Sequence, residues 1–126
     1  GIPIIRALKV SLAANRIQEI MGIVNGTTNY ILTQMANHGL DFGVALAEAQ
    51  ARGYAEADPT DDVDGFDAAY KLSILASIAF HARVPLEKIR HEGIRGVTSR
   101  DISYARDLGY VVKLVAIARD RPGGLE

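Results

Sequence analysis

The 126-residue sequence predicts an α+β fold, a mixed sheet of about three strands packed against helices. Three observations carry that prediction. Helical and strand-like hydrophobic periodicities alternate along the chain. Gly, Pro, Asn or Asp bounds most of the periodic stretches. An apolar content of 48% is enough for one core. No repeat, low-complexity tract or linker interrupts the chain, so residues 1–126 are expected to form one unit.

Taken in order, residues 3–13 (PIIRALKVSLA) place Ile4, Ile5, Leu8 and Leu12 at helical spacing, with Pro3 at a permitted first-turn position. Residues 16–25 alternate apolar and polar side chains before turning fully apolar, as a half-buried strand does on entering a core. Asn25-Gly26 ends that strand, and Thr27 or Thr28 is expected to cap a helix that runs to about residue 38 and stops at Gly39. A second helix, 41–52, is framed by Asp41 and Gly53. Residues 66–82 are apolar nearly all round, which predicts a helix buried on most faces. Residues 89–97 (IRHEGIRGV) read as a short strand, and Ser99 or Asp101 as the cap of a helix to about 108. Residues 110–119 include the strongest strand signal in the chain, YVVKLVAIA.

Charge and composition narrow the classes of function. With 14 basic and 15 acidic side chains the net charge is −1, so there is no global attraction to nucleic acid or to an acidic membrane. No apolar run approaches the ~18 residues needed to span a bilayer. The absence of cysteine suits a reducing cytoplasm, the expected compartment. Both ends read as cut from something longer, because the sequence opens in apolar material at Gly1-Ile2-Pro3 and stops at a turn just after a strand.

The charge that exists is concentrated. Between residues 53 and 72, GYAEADPTDDVDGFDAAYKL, six acids (Glu56, Asp58, Asp61, Asp62, Asp64 and Asp67) precede a single amine, Lys71. A calcium loop fails on spacing: with Gly65 at position 6, position 1 is Thr60 and position 12 is Lys71, a cation where a bidentate Glu is needed. His38, His81 and His91 have no metal-ligand spacing. A solvated turn with an ordinary Asp67–Lys71 helical pair would account for the residues taken alone. Against it stand the apolar neighbours of Lys71 on the helix, Ala68, Leu72, Ile74, Leu75 and Ile78, which put the ammonium at the boundary of acid and core. Desolvation there opposes the charged form while the carboxylates favour it, and such opposed influences make an amine a proton donor and acceptor. The surplus carboxylates are free to hold a second cation, such as a substrate ammonium. Asn25-Gly26-Thr27-Thr28-Asn29-Tyr30 is the other candidate: a helix start without acid suits a bound carboxylate or phosphate, although from these residues alone an ordinary helix cap is the favoured reading. There is no G-x-G-x-x-G, hence no dinucleotide fingerprint.

Together, IMGIVNGTTNYIL (20–32) and EAQARGYAEADPTDDVDGFDAAYKL (48–72) closely resemble the signature of homoserine dehydrogenases, and GIPIIR resembles the segment joining their nucleotide-binding and catalytic halves. The resemblance covers about residues 1–118. It implies a partial catalytic domain of an NAD(P)-dependent oxidoreductase that interconverts L-homoserine and L-aspartate 4-semialdehyde, with the Rossmann half upstream of Gly1 and a final portion beyond Glu126. It also implies a catalytic Lys71 oriented by Asp67, a substrate ammonium held by Glu56 with help from Tyr54, and Asp62 near the substrate hydroxyl. Gly26 and Thr27 would meet the substrate carboxylate and the nicotinamide. A homodimer is implied, as is a monovalent cation at the domain junction, of whose site only the Ile2 backbone falls in this sequence. Alone, these residues are expected to be inactive. The rival readings are a related amino-acid dehydrogenase and a structural dimerisation module with a decorative acidic loop.

Overall fold

The two longest helices of the computed structural model, which describes residues 2–126, start beside each other at the acidic turn. In chain order the elements are α1 (Ile4–Arg6, running on as a π-helical turn over Ala7–Ser11), β1 (Glu19–Gly22), α2 (Gly26–His38), α3 (Phe42–Ala51), α4 (Thr60–Val63), α5 (Phe66–Ala79), a 3₁₀ turn at Leu86–Lys88, α6 (Ser99–Asp107), β2 (Ala116–Arg121) and β3 (Gly124–Leu125). The three strands form one antiparallel sheet in the order β1-β2-β3. Ile20 faces Ala118 and Gly22 faces Ala116 across the first pair, and Asp120 faces Leu125 across the second. The α+β class expected from the periodicities therefore holds. No described helix is long and apolar enough to cross a membrane.

One core lies between α2, α3, α6 and the segments that carry Val63 and Ile94. Ile31, Leu32 and Met35 are the α2 residues in it, and all are essentially inaccessible to water. Against them α3 presents Ala45 and Ala49, whose small side chains let the two helix axes approach closely. A second cluster joins Leu72 and Ala76 of α5 to Ala116 and Ala118 of β2. Burying these apolar surfaces is the principal stabilisation available to the fold.

Several expected boundaries move, for physical reasons. α2 is capped by Asn25 rather than by Thr27 or Thr28: Asn25 has extended dihedrals and its side chain accepts from the Thr28 N–H. Gly39, at φ 66°, ends the helix in the left-handed conformation as expected. The cap of α6 is Thr98, one residue before Ser99, and Asp101 is its reciprocal partner in a capping box. The 3–13 helix closes its last turn with an i→i+5 bond, Leu12 N–H to Ala7 O at 2.9 Å, and buries only Leu8. α5 ends at Ala79 and buries one stripe, while Tyr70 and Ile74 remain exposed, so it is not covered on most faces.

The sheet departs more from expectation. Residues 89–97 form no strand. The Ile94 N–H donates to Val63 O at 2.8 Å, and Gly93 lies against the backbone of Val63 and Asp64, so this segment spends its main chain on the acidic turn. The third strand is β3 instead. The 110–119 strand is paired only from Ala116 onward, since β1 offers four residues of edge, and Lys113 is drawn to α2 by bonds to Asn29 Oδ1 (2.7 Å) and Thr33 Oγ1 (2.9 Å). The 16–25 strand is likewise paired only over Glu19–Gly22.

Candidate active site

Residues 24–30, 53–54 and 62–71 come together because β1 delivers the chain to the start of α2, directly beside the turn from α4 into α5. Gly65 makes that turn possible: it caps α5 with φ 86°, and a Cβ there would stand 3.0 Å from the Glu92 carbonyl oxygen. The result is a cleft of about 500 Å³ lined by Asn25, Gly26, Thr27, Tyr30, Gly53, Tyr54, Asp62, Asp67 and Lys71.

Lys71 is the amine of this cleft. Its Nζ donates to Asp67 Oδ2 at 2.6 Å, one turn earlier on α5, and to the Val24 carbonyl oxygen at 3.0 Å. The side chain is 47% exposed, so it reaches solvent rather than a sealed interior. An ammonium has three N–H donors, and this geometry commits two of them. Asp62 and Asp67, on different helices, are joined by one amide: Asn25 Nδ2 donates to Asp62 Oδ1 at 2.6 Å and to Asp67 Oδ2 at 2.9 Å.

The opposite wall is the α2 start and the loop after α3. Thr27 Oγ1 donates to Tyr54 O at 2.8 Å, tying the two together. The first-turn N–H groups of Gly26 and Thr27 have no acceptor within the helix, and open space lies where a Gly26 Cβ would stand, so a flat or anionic group can approach the backbone there. The Tyr30 and Tyr54 rings stack at a tilt, centroids 4.8 Å apart. Burial raises the pKa of the Tyr30 hydroxyl above the usual tyrosine value, Arg52 opposing and Glu48 adding to the effect.

Of the residues singled out from sequence, Lys71, Asp67, Asp62, Tyr54, Gly26 and Thr27 line this one cleft. Glu56 does not line it; its carbonyl oxygen accepts from Gln50 Nε2 at 2.9 Å, and its carboxylate has no hydrogen-bond or ion-pair partner among the described residues. Ile2 lies outside the cleft, exposed, with its carbonyl oxygen accepting from the Ile4 N–H at 2.8 Å. Two of the remaining acids have structural partners. Asp58 accepts from the Thr60 hydroxyl and N–H, which hold its pKa below the usual carboxylate range, and Asp64 pairs with Arg95. Asn25 belongs to the candidate stretch 25–30, but its link to Asp62 and Asp67 is not legible in the sequence.

Fold and cleft define a small α+β unit that presents an amine, two linked carboxylates and free helix-terminal N–H groups around one opening, an arrangement suited to enzymic proton transfer on a small polar molecule. The chain belongs to the homoserine dehydrogenase family, whose pattern matches residues 3–125. It is 58% identical over 123 residues to the homoserine dehydrogenase of a Synechocystis species, covering 98% of this chain and 28% of that protein. The crystal structure of a homoserine dehydrogenase from Thiobacillus denitrificans superposes with a TM-score of 0.94 at 50% identity, covering 98% of this chain and 28% of that one. A hyperthermophilic archaeal homoserine dehydrogenase in complex with NADPH superposes with a TM-score of 0.76 at 34% identity, covering 94% and 33% respectively. The chain thus spans little more than a quarter of the length of the curated relative it matches.

Proposed function

We propose that this chain is the substrate-binding and catalytic portion of an NAD(P)-dependent homoserine dehydrogenase, interconverting L-homoserine and L-aspartate 4-semialdehyde on the route to threonine, methionine and isoleucine. The observation that carries the reading is the tethering of Lys71 by Asp67 and Val24 O, which leaves one N–H of the ammonium toward the cleft.

In this reading Lys71 gives a proton to the substrate carbonyl oxygen in reduction and removes it from the alcohol in oxidation. Asp67 holds the amine in place, and Asp62 lies near the substrate oxygen. The substrate carboxylate meets the N–H groups of Gly26 and Thr27, where the α2 dipole favours negative charge. Glu56, outside the cleft lining and two residues beyond Tyr54 on its wall, is assigned the substrate ammonium through its unpaired carboxylate, assisted by Tyr54. NAD(P), when bound, supplies the hydride, and Gly26 and Thr27 are the residues of this chain that would border its nicotinamide. The remainder of the dinucleotide, lacking a glycine fingerprint here, is assigned to a Rossmann portion elsewhere in the protein. The assembly is a cytoplasmic homodimer, and these residues alone are inactive.

The test is Lys71→Ala in the full-length protein. Proton transfer by a positioned side chain contributes roughly 10²–10⁴-fold, so kcat for homoserine oxidation should fall by at least about a hundredfold while KM changes far less. A kcat comparable with the parent's removes Lys71 from the reaction.

A further inference from the structure

Every hydrogen-bonding valence of the Asn25 side chain is used, and the direction of each is forced. Oδ1 accepts from the Thr28 N–H at 2.8 Å and from Thr28 Oγ1 at 2.9 Å. A main-chain N–H can only donate, so the amide oxygen faces α2 and Nδ2 faces away from it. There Nδ2 meets Asp62 Oδ1 and Asp67 Oδ2. The residue is only 4% exposed, so water cannot readily take over these bonds. Asp67 Oδ2 is also the atom that receives Lys71, and the lysine's other acceptor is the carbonyl of the preceding residue, Val24. Both tethers of the ammonium therefore trace back to two consecutive residues at the end of the strand segment.

We propose that Asn25 is a positioning residue whose neutral amide cross-links Asp62 to Asp67 and thereby aims Lys71 for proton transfer. Capping does not by itself explain an asparagine here, because aspartate caps helices equally well. What distinguishes the amide is its pair of hydrogens: two carboxylates converge on Nδ2, and an acid in its place would set a third carboxylate against them with nothing to donate. The charged and titratable groups facing this point are Asp62 from α4 and Asp67 and Lys71 from α5, with Tyr30 and Tyr54 lining the same cleft. The inference rests on the proton-transfer role of Lys71 and adds to it the group that aims it.

The experiment compares Asn25→Asp, Asn25→Ser and Lys71→Ala with the parent in the full-length protein, measuring kcat, KM and thermal midpoint between about pH 5 and pH 8, a range in which a crowded carboxyl can take up a proton. Asn25→Asp keeps the cap but loses the donor; kcat at neutral pH should fall roughly ten- to a hundredfold, a part of the general acid–base contribution. Its ratio to the parent should recover toward acid pH, where a shared proton restores an O–H···O link. Asn25→Ser keeps a capping hydroxyl but is too short to bridge; it should lose kcat to a similar extent with KM within about threefold, and show no acid recovery. Asn25→Asp within twofold of the parent at every pH would reduce Asn25 to a helix cap. Should that variant fail to fold, an unchanged kcat in Asn25→Ser overturns the proposal and a selective kcat loss upholds it. If Lys71→Ala retains turnover, the proton-transfer role fails separately. The cross-link is then decided by stability: a midpoint gap between Asn25→Asp and the parent that widens with rising pH supports it, and a flat gap overturns it.

Discussion

Replacing Gly93 with alanine would push a methyl group into the backbone that carries the acidic turn. A Cβ at this position collides with the Val63 carbonyl oxygen and stands 2.6 Å from Asp64 Cα and 3.0 Å from Asp64 C. All three are main-chain atoms, so no rotamer change relieves the clash. Gly93 does not have positive φ, which means alanine can adopt its backbone conformation and the whole effect is steric. Relief requires residues 92–95 to move off residues 63–64, stretching the bond from the Ile94 N–H to Val63 O and unseating Ile94, which is 3% exposed. Overpacking typically costs about 1–3 kcal/mol and a weakened backbone hydrogen bond about 0.5–1.5 kcal/mol. The exposed Arg95–Asp64 pair adds little. The expected loss is therefore about 2–4 kcal/mol, read as a lower urea midpoint at unchanged slope. Gly96→Ala is the internal control: it also lacks positive φ, and a Cβ there meets nothing within 4 Å, so it should stay within about 0.5 kcal/mol of the parent. If Gly93→Ala were as stable as Gly96→Ala, the close approach of the two segments would not be what holds the acidic turn in place.

Two further outcomes are expected. Glu56→Gln removes the charge offered to the substrate ammonium and should raise KM for homoserine with a smaller effect on kcat; steady-state kinetics of the full-length protein giving an unchanged KM would take Glu56 out of the ammonium site. In Asp101, the Thr98 hydroxyl and N–H hold the carboxyl below the usual carboxylate range. A depressed folded-state value contributes stability that is present above the unfolded value and lost as pH falls through the folded one. The urea midpoints of Asp101→Ala and the parent should differ near neutrality and converge from about pH 4 downward, and a gap independent of pH would contradict the role of the charged form.

Much of the helical architecture was legible because its causes are local. The apolar spacing of Ile31, Leu32 and Met35, the Gly39 stop, and the frame of Asp41 and Gly53 around α3 can each be read within a few residues of where they act. Cap positions were less exact, since Asn25 and Thr98 compete with Thr27, Thr28, Ser99 and Asp101 for the same task and only the dihedrals separate them. The IRHEGIRGV stretch has the composition of a strand, yet Gly93 and Ile94 are committed to the backbone at Val63 and Asp64, about thirty residues earlier. Strand propensity expresses fit to a pleated surface, and no neighbouring strand is offered to this segment. Lys71 and Asp67 stood out because they lie one helical turn apart. The link from Asn25 to Asp62 and Asp67 did not, because its bonds span 37 and 42 residues.

By itself, the order of amino acids determined where helices form, which faces are apolar, that charge gathers on one turn, and the family to which the chain belongs. Helical hydrogen bonds and side-chain stripes repeat every three to four residues, so the information for them is contiguous. Tertiary structure alone decided which strands pair, which carboxylates Asn25 links, and that Val24 O accepts a hydrogen bond from Lys71. Each of those contacts needs a partner distant in the chain, held within reach by the α2–α3 core and the α5–β2 contact.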